Sequence, residues 1–397
     1  MKYLVLVPDG AADYPIDSLG GKTPLEAAHT PHLDRLAAEG TGGLVQIIPP
    51  SRPAGSDIGN LELFGYDTRQ YYTGRAPLEA ASMGLTLGPE DIAFRCNTIT
   101  REGDTLVDYS AGHISTPEAR ELIEELQAAL GRPGLTFYPG VGYRHIVVWH
   151  QGPLGLKSYP PHDIMGQSIA AHLPAGERQE EVRALMAQAG PLLAQAPVNQ
   201  QRAAQGKGQG NAIWLWGEGR PLLLPGMAEK YGLRGGVISA VDLVRGIGRA
   251  AGMEIIEVPG ITGYLDTNYL GKAQYALEAL KHLDLVYVHV EAPDEAGHNG
   301  DPQAKKKAIE DFDALVVGTL LEGLASVGPC RILVSPDHRT PIALRTHSRE
   351  PVPFLLWGEG LPADQVTSYG EGEAEGGALH LEHGHEMMDL LTGKKAV

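Results

Sequence analysis

Short apolar runs alternate along this chain with stretches in which apolar residues recur at a helical period. This alternation predicts strands and helices that follow one another. Short apolar runs such as Lys2 to Val7 and Leu285 to Glu291 have the length of buried strands. The stretch "TPLEAAHTPHLDRLAAEG" instead has a helical period, with Leu33 and Leu36 on one face and Gly40 as a stop. Because strands and helices alternate, the sequence predicts an α/β fold with a doubly wound, mainly parallel sheet.

The middle of the chain has a different pattern, which predicts a second domain. Between about 91 and 210, short β-like runs lie among two helical stretches, Pro117 to Leu130 and Glu177 to Ala189. This region closes with "QQRAAQGKGQGN", which is rich in Gln and Gly and is typical of a linker. We therefore expect a smaller α+β substrate domain at 91–210, inserted into a core domain formed by 1–90 and 211–397.

The composition is that of a globular protein with a strong negative charge. The 397 residues include 49 Asp and Glu against 32 Lys and Arg, which disfavours nucleic acid and anionic membranes as partners. Two distant cysteines, Cys96 and Cys330, argue against a disulfide framework, and the N-terminal apolar run is too short for a signal peptide. We expect a cytoplasmic protein, in which a small anionic substrate would need local arginine, lysine or metal.

Three of the predicted strands end in acidic residues. "YLVLVPD" ends in Asp9, "RILVSPDH" ends in Asp337 and His338, and "LVYVHVEAPDEAGH" runs into Asp294 and His298. Ligands of open α/β sheets bind outside the carboxyl ends of the strands, so these side chains are expected at one edge of the sheet. The spacing of four residues between Asp294 and His298 would place both on one face of a helical turn.

This set of side chains is typical of a metal centre. Mixed Asp and His ligation suits Mn²⁺, Zn²⁺ or Mg²⁺ better than a thiolate site would. With one further histidine there are six candidates, whereas a single tetrahedral zinc needs four and a pair of cations can use all six. A lone Asp after a strand is more often a helix cap or turn former, and a lone His is usually a packing group. The convergence of three strand ends favours the metal centre.

Ser56 is a candidate nucleophile. It lies in "RPAGSDIGN", at the predicted start of a helix, where the helix N-terminus would favour an anion. From this stretch alone, a simple role as a helix N-cap is an equally good interpretation.

Several longer motifs resemble one known family. They are "PDGAADYP", "GKTPLEAAHTPHLDRLA", "PAGSDIGNLELFGYD", "YYTGRAPLEAASMG", "GVGYRH", "PPHDI", "NAIWLWGEG", "HVEAPDEAGHNGD" and "PDHRTP…RTHSREPVPF". Over nearly the whole chain the sequence resembles the cofactor-independent (2,3-bisphosphoglycerate-independent) phosphoglycerate mutases of the short, archaeal type, in the alkaline phosphatase superfamily. The resemblance implies an alkaline-phosphatase-type core and a phosphoserine intermediate on Ser56. It also implies interconversion of 3- and 2-phosphoglycerate without 2,3-bisphosphoglycerate.

The resemblance also implies a ligand set for two divalent cations, with Mn²⁺ as the first choice and Mg²⁺, Co²⁺ or Zn²⁺ as alternatives. Asp9, Ser56, Asp337 and His338 match the residues that hold one cation. Asp294, His298 and His347 match those that hold the other. Three later histidines match a C-terminal helix of the family and are interpreted as surface or packing groups: His380, His383 and His385.

The predicted substrate contacts match the family less well. Where the family's inserted domain carries "DRRAGR", this chain has "DYSAGH" at 108–113, which keeps Asp108 but lacks the arginines. Arg95, Arg144 and Lys272 are further candidate anion contacts, although each could equally be a surface residue lying over apolar neighbours.

This departure keeps other functions open. A bacterial branch of the family is proposed to phosphorylate homoserine, and the chain resembles that branch at "APDEAGH" and "LRTHSREPVPF". A metal-dependent phosphatase would use the same ligands with water as the acceptor. A sulfatase is disfavoured because the Cys-x-Pro-x-Arg motif is absent. A non-catalytic metal-binding protein would not depend on Ser56.

Overall fold

The computed structural model describes residues 1–397 and divides them into two compact units. The first consists of Met1–Tyr72 and Leu223–Val397, and the second, inserted unit is Thr73–Leu222. The inserted unit therefore begins before 91 and ends after 210, in contrast to the limits expected from the sequence. The reason is packing, because the helix Arg75–Ser82 contacts the strands of the inserted unit and the strand Ala212–Gly219 pairs within its sheet.

The elements alternate as the sequence pattern predicts. The thirteen strands are β1 Lys2–Pro8, β2 Thr41–Val45, β3 Asp91–Glu102, β4 Thr105–Asp108, β5 Leu135–Tyr138, β6 Arg144–His150, β7 Ala212–Gly219, β8 Gly235–Ile238, β9 Glu254–Ile255, β10 Leu285–Val290, β11 Cys330–Val334, β12 Val352–Gly358 and β13 Leu379–Leu381. The sixteen α-helices are α1 Pro24–Ala27, α2 Pro31–Glu39, α3 Ser56–Leu63, α4 Thr68–Tyr71, α5 Arg75–Ser82, α6 Thr116–Leu130, α7 Gln179–Gln195, α8 Pro197–Ala204, α9 Met227–Tyr231, α10 Asp242–Ala250, α11 Tyr269–Ala279, α12 Ala292–Asn299, α13 Pro302–Asp311, α14 Gly318–Gly323, α15 Glu371–Glu375 and α16 Glu386–Thr392.

The first unit is built on an eight-stranded sheet with the order β13-β2-β12-β11-β1-β10-β8-β9. Strand β1 runs parallel to both of its neighbours, β10 and β11. Its residues Leu4 to Val7 are fully buried, which explains their unbroken apolar run, because both faces of the strand are covered. Strand β12 is antiparallel to β11 and β2. The predicted α/β class with a mainly parallel sheet is thus confirmed.

The stretch that has one helical period in the sequence forms two helices, α1 and α2. Pro24 and Pro31 each lie in the first turn of a helix, where the missing proline N–H has no intrahelical partner to lose. Ala28, between them, has an extended backbone, so the two helices are separate. The apolar residues Leu33 and Leu36 are buried, as the periodicity predicts.

The inserted unit has its own antiparallel sheet, with the order β4-β3-β6-β5 and with β7 paired to β3. Helices α6 and α7 bury residues such as Leu122 and Leu185 in a core that includes Phe94 and Trp214. The prediction of a linker after α7 was wrong in its first part, because α8 forms there. Its Asn199 is buried and donates hydrogen bonds to two backbone carbonyls.

None of the helices combines the length and the apolar character that are needed to cross a membrane.

Candidate metal centre

The predicted metal ligands lie together at one edge of the sheet in the first unit. Strand β1 lies between β10 and β11, and all three run in the same direction. Asp9 follows β1 directly, Asp337 and His338 follow β11, and Asp294 lies in the first turn of α12 after β10. The carboxyl ends of parallel strands therefore bring side chains together that are far apart in the sequence.

The first group of predicted ligands meets Ser56 through His338. The hydroxyl oxygen of Ser56 lies 3.0 Å from His338 Nε2, and this nitrogen lies 3.5 Å from Asp9 Oδ1 and 3.4 Å from Asp337 Oδ2. Ser56 is the first residue of α3, and this helix passes so close to Asp337 that Gly59 leaves no space for a side chain. One hydroxyl, one imidazole and two carboxylates thus converge at the N-terminus of α3.

The second group combines α12 with the loop that precedes β12. Asp294 and His298 are one helical turn apart, with 3.3 Å between Asp294 Oδ2 and His298 Nε2. His347 comes from the loop, and its Nε2 lies 3.5 Å from Asp294 Oδ1 and 3.0 Å from His298 Nε2. Thr340 also donates a hydrogen bond to Asp294. The two groups are adjacent, since ligand atoms of Asp9, Asp294 and His338 lie within 4.8 Å of one another.

Burial and crowding shift the acid–base equilibria of these residues. Burial raises the pKa of Asp9 well above its usual value, and the neighbouring Asp337 and Asp294 raise it further. Burial acts in the same direction on Asp294, but hydrogen bonds with His298 and His347 hold the pKa of this carboxyl well below its usual range. The hydrogen bond to Asp294 in turn raises the pKa of His298 to about 9. The carboxylates of Asp9, Asp294 and Asp337 thus lie close together, and the histidines beside Asp294 do not offset their mutual repulsion at Asp9.

The residues fit a divalent cation in three respects. Asp9 Oδ1 is buried and has no hydrogen-bond partner, which is costly for a carboxylate oxygen. His298 Nδ1 lies 3.0 Å from the backbone carbonyl of Arg345, so in the neutral ring this nitrogen carries the proton and Nε2 is left to bind a cation. The donors are carboxylates and imidazoles, which are ligands for Mn²⁺, Zn²⁺ and related ions. A cation beside Asp9 would give Oδ1 a partner, and a cation beside Asp294 would be bound by Nε2 of His298.

Three polar residues behind the first group were not predicted from the sequence. His289 is fully buried, and its Nε2 lies 2.9 Å from Asp9 Oδ2. Asn60 donates to Asp337 Oδ2 at 2.6 Å, and Tyr287 donates to Asn60 Oδ1 at 2.7 Å. Burial lowers the pKa of His289 to about 3, so its imidazole is neutral. The available signal was the spacing of two between Tyr287 and His289, which places both on one face of β10.

The four candidate substrate contacts have different surroundings. Arg95 is buried in the inserted unit, with its Nε 2.9 Å from Glu79 and its guanidinium 4.3 Å from the ring of Trp216. Arg144 is exposed. Lys272, in the first unit, is fully buried and donates from Nζ to the carbonyl of His289 at 2.7 Å. The role of these residues in substrate binding stays a prediction.

Asp108, the fourth candidate, organises the "DYSAGH" loop itself. Its carboxylate accepts hydrogen bonds from the backbone N–H groups of Ser110 and Gly112, at 2.7 and 2.8 Å. These bonds accompany a run of left-handed backbone at Ala111, Gly112 and His113. Much of the capacity of Asp108 to accept hydrogen bonds is therefore used within the loop, and its contact with substrate also stays a prediction.

The C-terminal histidines lie apart from the ligand groups described above. His380 is exposed, whereas His385 is half-buried and places its Nδ1 2.8 Å from Glu62 Oε2. His383 lies 3.4 Å from a guanidinium nitrogen of Arg69.

Comparisons with known proteins agree over the length of the chain. The family model for 2,3-bisphosphoglycerate-independent phosphoglycerate mutase matches residues 37–199. A protein from Geobacter sulfurreducens, named as a probable 2,3-bisphosphoglycerate-independent phosphoglycerate mutase, is 52% identical over 99% of this chain and 100% of its own length. The 2,3-bisphosphoglycerate-independent phosphoglycerate mutase 2 of Methanothermobacter thermautotrophicus is 50% identical over 100% of this chain and 98% of its own.

A solved structure extends the similarity to the fold. The structure of the PH0037 protein from Pyrococcus horikoshii covers 100% of this chain and 98% of its own, with 31% sequence identity and a TM-score of 0.83. The fold and the two ligand groups define an α/β protein with a carboxylate–imidazole centre and a serine beside it. The chain belongs to the 2,3-bisphosphoglycerate-independent phosphoglycerate mutase family.

Proposed function

We propose that this protein interconverts 3-phosphoglycerate and 2-phosphoglycerate by passing the phosphoryl group through Ser56. One observation carries the proposal: the Ser56 hydroxyl lies 3.0 Å from His338 Nε2, and this nitrogen lies 3.5 Å from Asp9 Oδ1 and 3.4 Å from Asp337 Oδ2. Support also comes from relatives that are named phosphoglycerate mutases and match over their full length. The proposal includes two divalent cations, with Mn²⁺ preferred over Mg²⁺, Co²⁺ or Zn²⁺. Their side-chain ligands would be Asp9, Ser56, Asp337 and His338 for one, and Asp294, His298 and His347 for the other.

Bound cations would neutralise the charge of the phosphate and stabilise the developing charge on the attacking and departing oxygens. The chain itself supplies the nucleophile. Ser56 Oγ bonds to phosphorus while the bond from phosphorus to the 3-oxygen of the substrate breaks, and the departing oxygen gains a proton as Ser56 loses one. In the return step the 2-hydroxyl of the same glycerate loses its proton and its oxygen bonds to phosphorus, while Ser56 Oγ leaves and regains a proton. The N-terminal backbone N–H groups of α3 favour the negative charge at phosphoserine.

The reaction as proposed takes place in the cytoplasm on a free, small phosphorylated acid. The two cysteines are free and buried, which fits a reducing compartment. The net charge of −17 makes nucleic acid and anionic membrane surfaces unfavourable partners.

The "DYSAGH" loop favours a second candidate, which is phosphoryl transfer to another small hydroxy acid such as homoserine. Tyr109 and Ser110 bring no charge to the loop, and the carboxylate of Asp108 is bonded to the loop's own backbone. A charge-assisted hydrogen bond typically contributes about 1.5–3 kcal/mol, so a substrate with two anionic groups would lose affinity where arginines are absent. A phosphatase, with water as the acceptor, would use the same ligands.

The deciding experiment measures conversion of 3-phosphoglycerate to 2-phosphoglycerate with Mn²⁺, coupled to enolase. Ser56→Ala should bind Mn²⁺ yet show no turnover and no phosphoenzyme by mass spectrometry. Ser326→Ala is the matched control, because Ser326 is exposed and donates only to the carbonyl of Gly323. This control should keep the wild-type rate.

Each outcome separates the candidates. Turnover that depends on Ser56 supports the mutase. Full activity of Ser56→Ala would refute the covalent mechanism. No turnover by a folded, Mn²⁺-loaded wild-type protein would refute the mutase, and phosphorylation of homoserine with ATP would then support the second candidate. Release of free phosphate would instead identify a phosphatase.

A further inference from the structure

Two hydrogen-bond chains reach the first ligand group from strand β10. They start at Tyr287 and His289, which are two residues apart and therefore lie on the same face of the strand. Both side chains are fully buried, with 1% and 0% of their surface exposed. Neither residue belongs to the predicted ligands. Each series of hydrogen bonds nevertheless ends on the carboxylate of a predicted ligand, Asp9 or Asp337.

The chain through His289 has one direction. The backbone N–H of Val241 donates to Ser239 Oγ at 3.0 Å, and Ser239 Oγ lies 3.2 Å from His289 Nδ1. His289 Nε2 lies 2.9 Å from Asp9 Oδ2. A carboxylate that ligates a cation is ionised and only accepts hydrogen bonds, so with Asp9 as a ligand Nε2 of His289 carries the proton and Nδ1 accepts from the Ser239 hydroxyl. Every donor in this chain thus points towards Asp9.

The chain through Tyr287 has the same direction. Its hydroxyl donates to Asn60 Oδ1 at 2.7 Å, and Asn60 Nδ2 donates to Asp337 Oδ2 at 2.6 Å. Asn60 Nδ2 also donates to the backbone carbonyl of Ser56, at 3.0 Å. The orientation of the amide is therefore fixed at both ends, and it connects the nucleophile's backbone with a ligand carboxylate.

We propose that His289 and Tyr287 are positioning residues, which hold Asp9 and Asp337 in the orientation that binds the cation beside Ser56. This inference rests on the proposed two-cation function. Buried carboxylates repel one another and would turn apart, whereas donors fixed in the protein hold them in place. His289 holds Asp9 at Oδ2, and Asn60 holds Asp337 at Oδ2, while Asp337 Oδ1 accepts from the backbone N–H of Gly10 at 3.2 Å. For Asp9 the second oxygen, Oδ1, remains without a partner and lies 3.5 Å from His338 Nε2, in the first ligand group. Hydrogen bonds to ligating side chains typically change metal affinity by about 10- to 100-fold.

The test is a calorimetric titration of the chelator-treated, full-length protein with Mn²⁺. His289→Leu removes the donor and should weaken one of two binding sites by about 10- to 100-fold. His289→Gln keeps an N–H near the position of Nε2 and should recover much of this loss. Tyr287→Phe should weaken the same site, whereas the matched control Tyr66→Phe should not. Tyr66 is also a fully buried tyrosine, but its hydroxyl donates to the carbonyl of Pro225, outside both chains.

The kinetic readout separates positioning from a loss of folding. The turnover number of His289→Leu should recover at saturating Mn²⁺, because the ligands themselves are still present. If His289→Leu does not fold, as judged by circular dichroism, Ser239→Ala provides a milder test. It removes only the hydroxyl that donates to His289 Nδ1, and it should weaken the same site to a smaller extent.

The result that overturns the inference is equal affinity for Mn²⁺ in wild type, Tyr287→Phe and the folded variant of the His289 chain. In that case the wild-type protein would still bind two ions, and the proposed function would stand. A wild-type protein that binds no Mn²⁺ would overturn the proposed function and the inference with it.

Discussion

At the scale of single residues, the centre depends on how Asp294 shares charge with its two histidines. Its carboxylate contacts His298 at 3.3 Å and His347 at 3.5 Å, and the hydrogen bond to Asp294 is the main reason why the pKa of His298 rises to about 9. In the absence of a cation, His298 is therefore protonated at neutral pH and donates to Asp294. A bound cation would have to displace this proton, since ligating imidazoles are neutral.

Asp294→Asn should lower the pKa of His298 towards its ordinary value near 6.5, because the negative partner is removed. The measurement is a pH titration of the His298 ring by NMR in the metal-free protein. If the proposed two-cation centre is correct, Asp294→Asn should also lose one of the two proposed Mn²⁺ ions together with activity. Asp301→Asn is the control, since Asp301 only caps α13 and asparagine caps equally well. An unchanged pKa of His298 in Asp294→Asn would show that its charge has another origin.

The contrast between Asp9 and His289 shows what a sequence can and cannot predict at this scale. Asp9 was predicted as a ligand because it ends an apolar strand, and the ends of parallel strands meet at one edge. His289 lies inside such a strand, where a histidine is indistinguishable from a packing residue. Its partner is 280 positions away, so only the fold brings the two together.

At the scale of elements, α3 connects the centre with the C-terminal helix. Ser56 begins α3, and Glu62 lies near its end. Glu62 accepts hydrogen bonds from the backbone N–H of His385, at 2.9 Å, and from the ring of His385, at 2.8 Å. The hydrogen bond to Glu62 raises the pKa of His385, so a charged pair fastens the start of α16 to α3.

This pair predicts a pH-dependent stability. Because the folded protein raises the pKa of His385, the stabilisation is complete below the unfolded value near 6.5 and disappears as the pH rises through the folded pKa. His385→Gln should lower the free energy of unfolding by about 1 kcal/mol at pH 6 and by less at pH 9, since the pair is half-buried and partly screened. Urea unfolding at both pH values measures this difference. The exposed His380→Gln should show none, and an equal loss at both pH values would exclude the charged pair.

Elements were predicted better than the assignment of elements to units. The helix α5, Arg75–Ser82, has the same apolar period whichever sheet it covers, so its sequence could not show that it packs on β3 and β7. For a similar reason α8 escaped prediction, because its composition is polar and its Asn199 is buried only through backbone contacts made on folding. Long-range packing therefore decides which unit α5 belongs to, and it also contributes to the formation of a helix such as α8 that lacks an apolar period.

At the scale of the whole molecule, each unit has its own sheet and buried core, but one unit holds all of the predicted ligands. The ligand residues Asp9, Ser56, Asp294, Asp337 and their histidine partners belong to Met1–Tyr72 and Leu223–Val397. The inserted unit, Thr73–Leu222, packs its strands against α6 and α7 in a separate core. A ligand that binds only the folded state stabilises the part of the protein that forms its site.

Removal of metal should therefore destabilise the two units unequally. With Mn²⁺ at about 100 times its dissociation constant, a single site adds about 2.7 kcal/mol to the stability of the first unit, and chelation removes it. Hydrogen exchange measured by mass spectrometry should show this as faster exchange of peptides from α12 and β11 after chelation, with little change in α6 and α7. The variant Asp337→Asn is the control, because it lacks a carboxylate of the first group only: its β11 peptides should respond less to Mn²⁺, whereas peptides from α12, which carries Asp294 and His298 of the second group, should still respond. Equal changes in both units would show instead that the protein opens as one cooperative body, in which the cation stabilises the inserted unit as much as the unit that binds it.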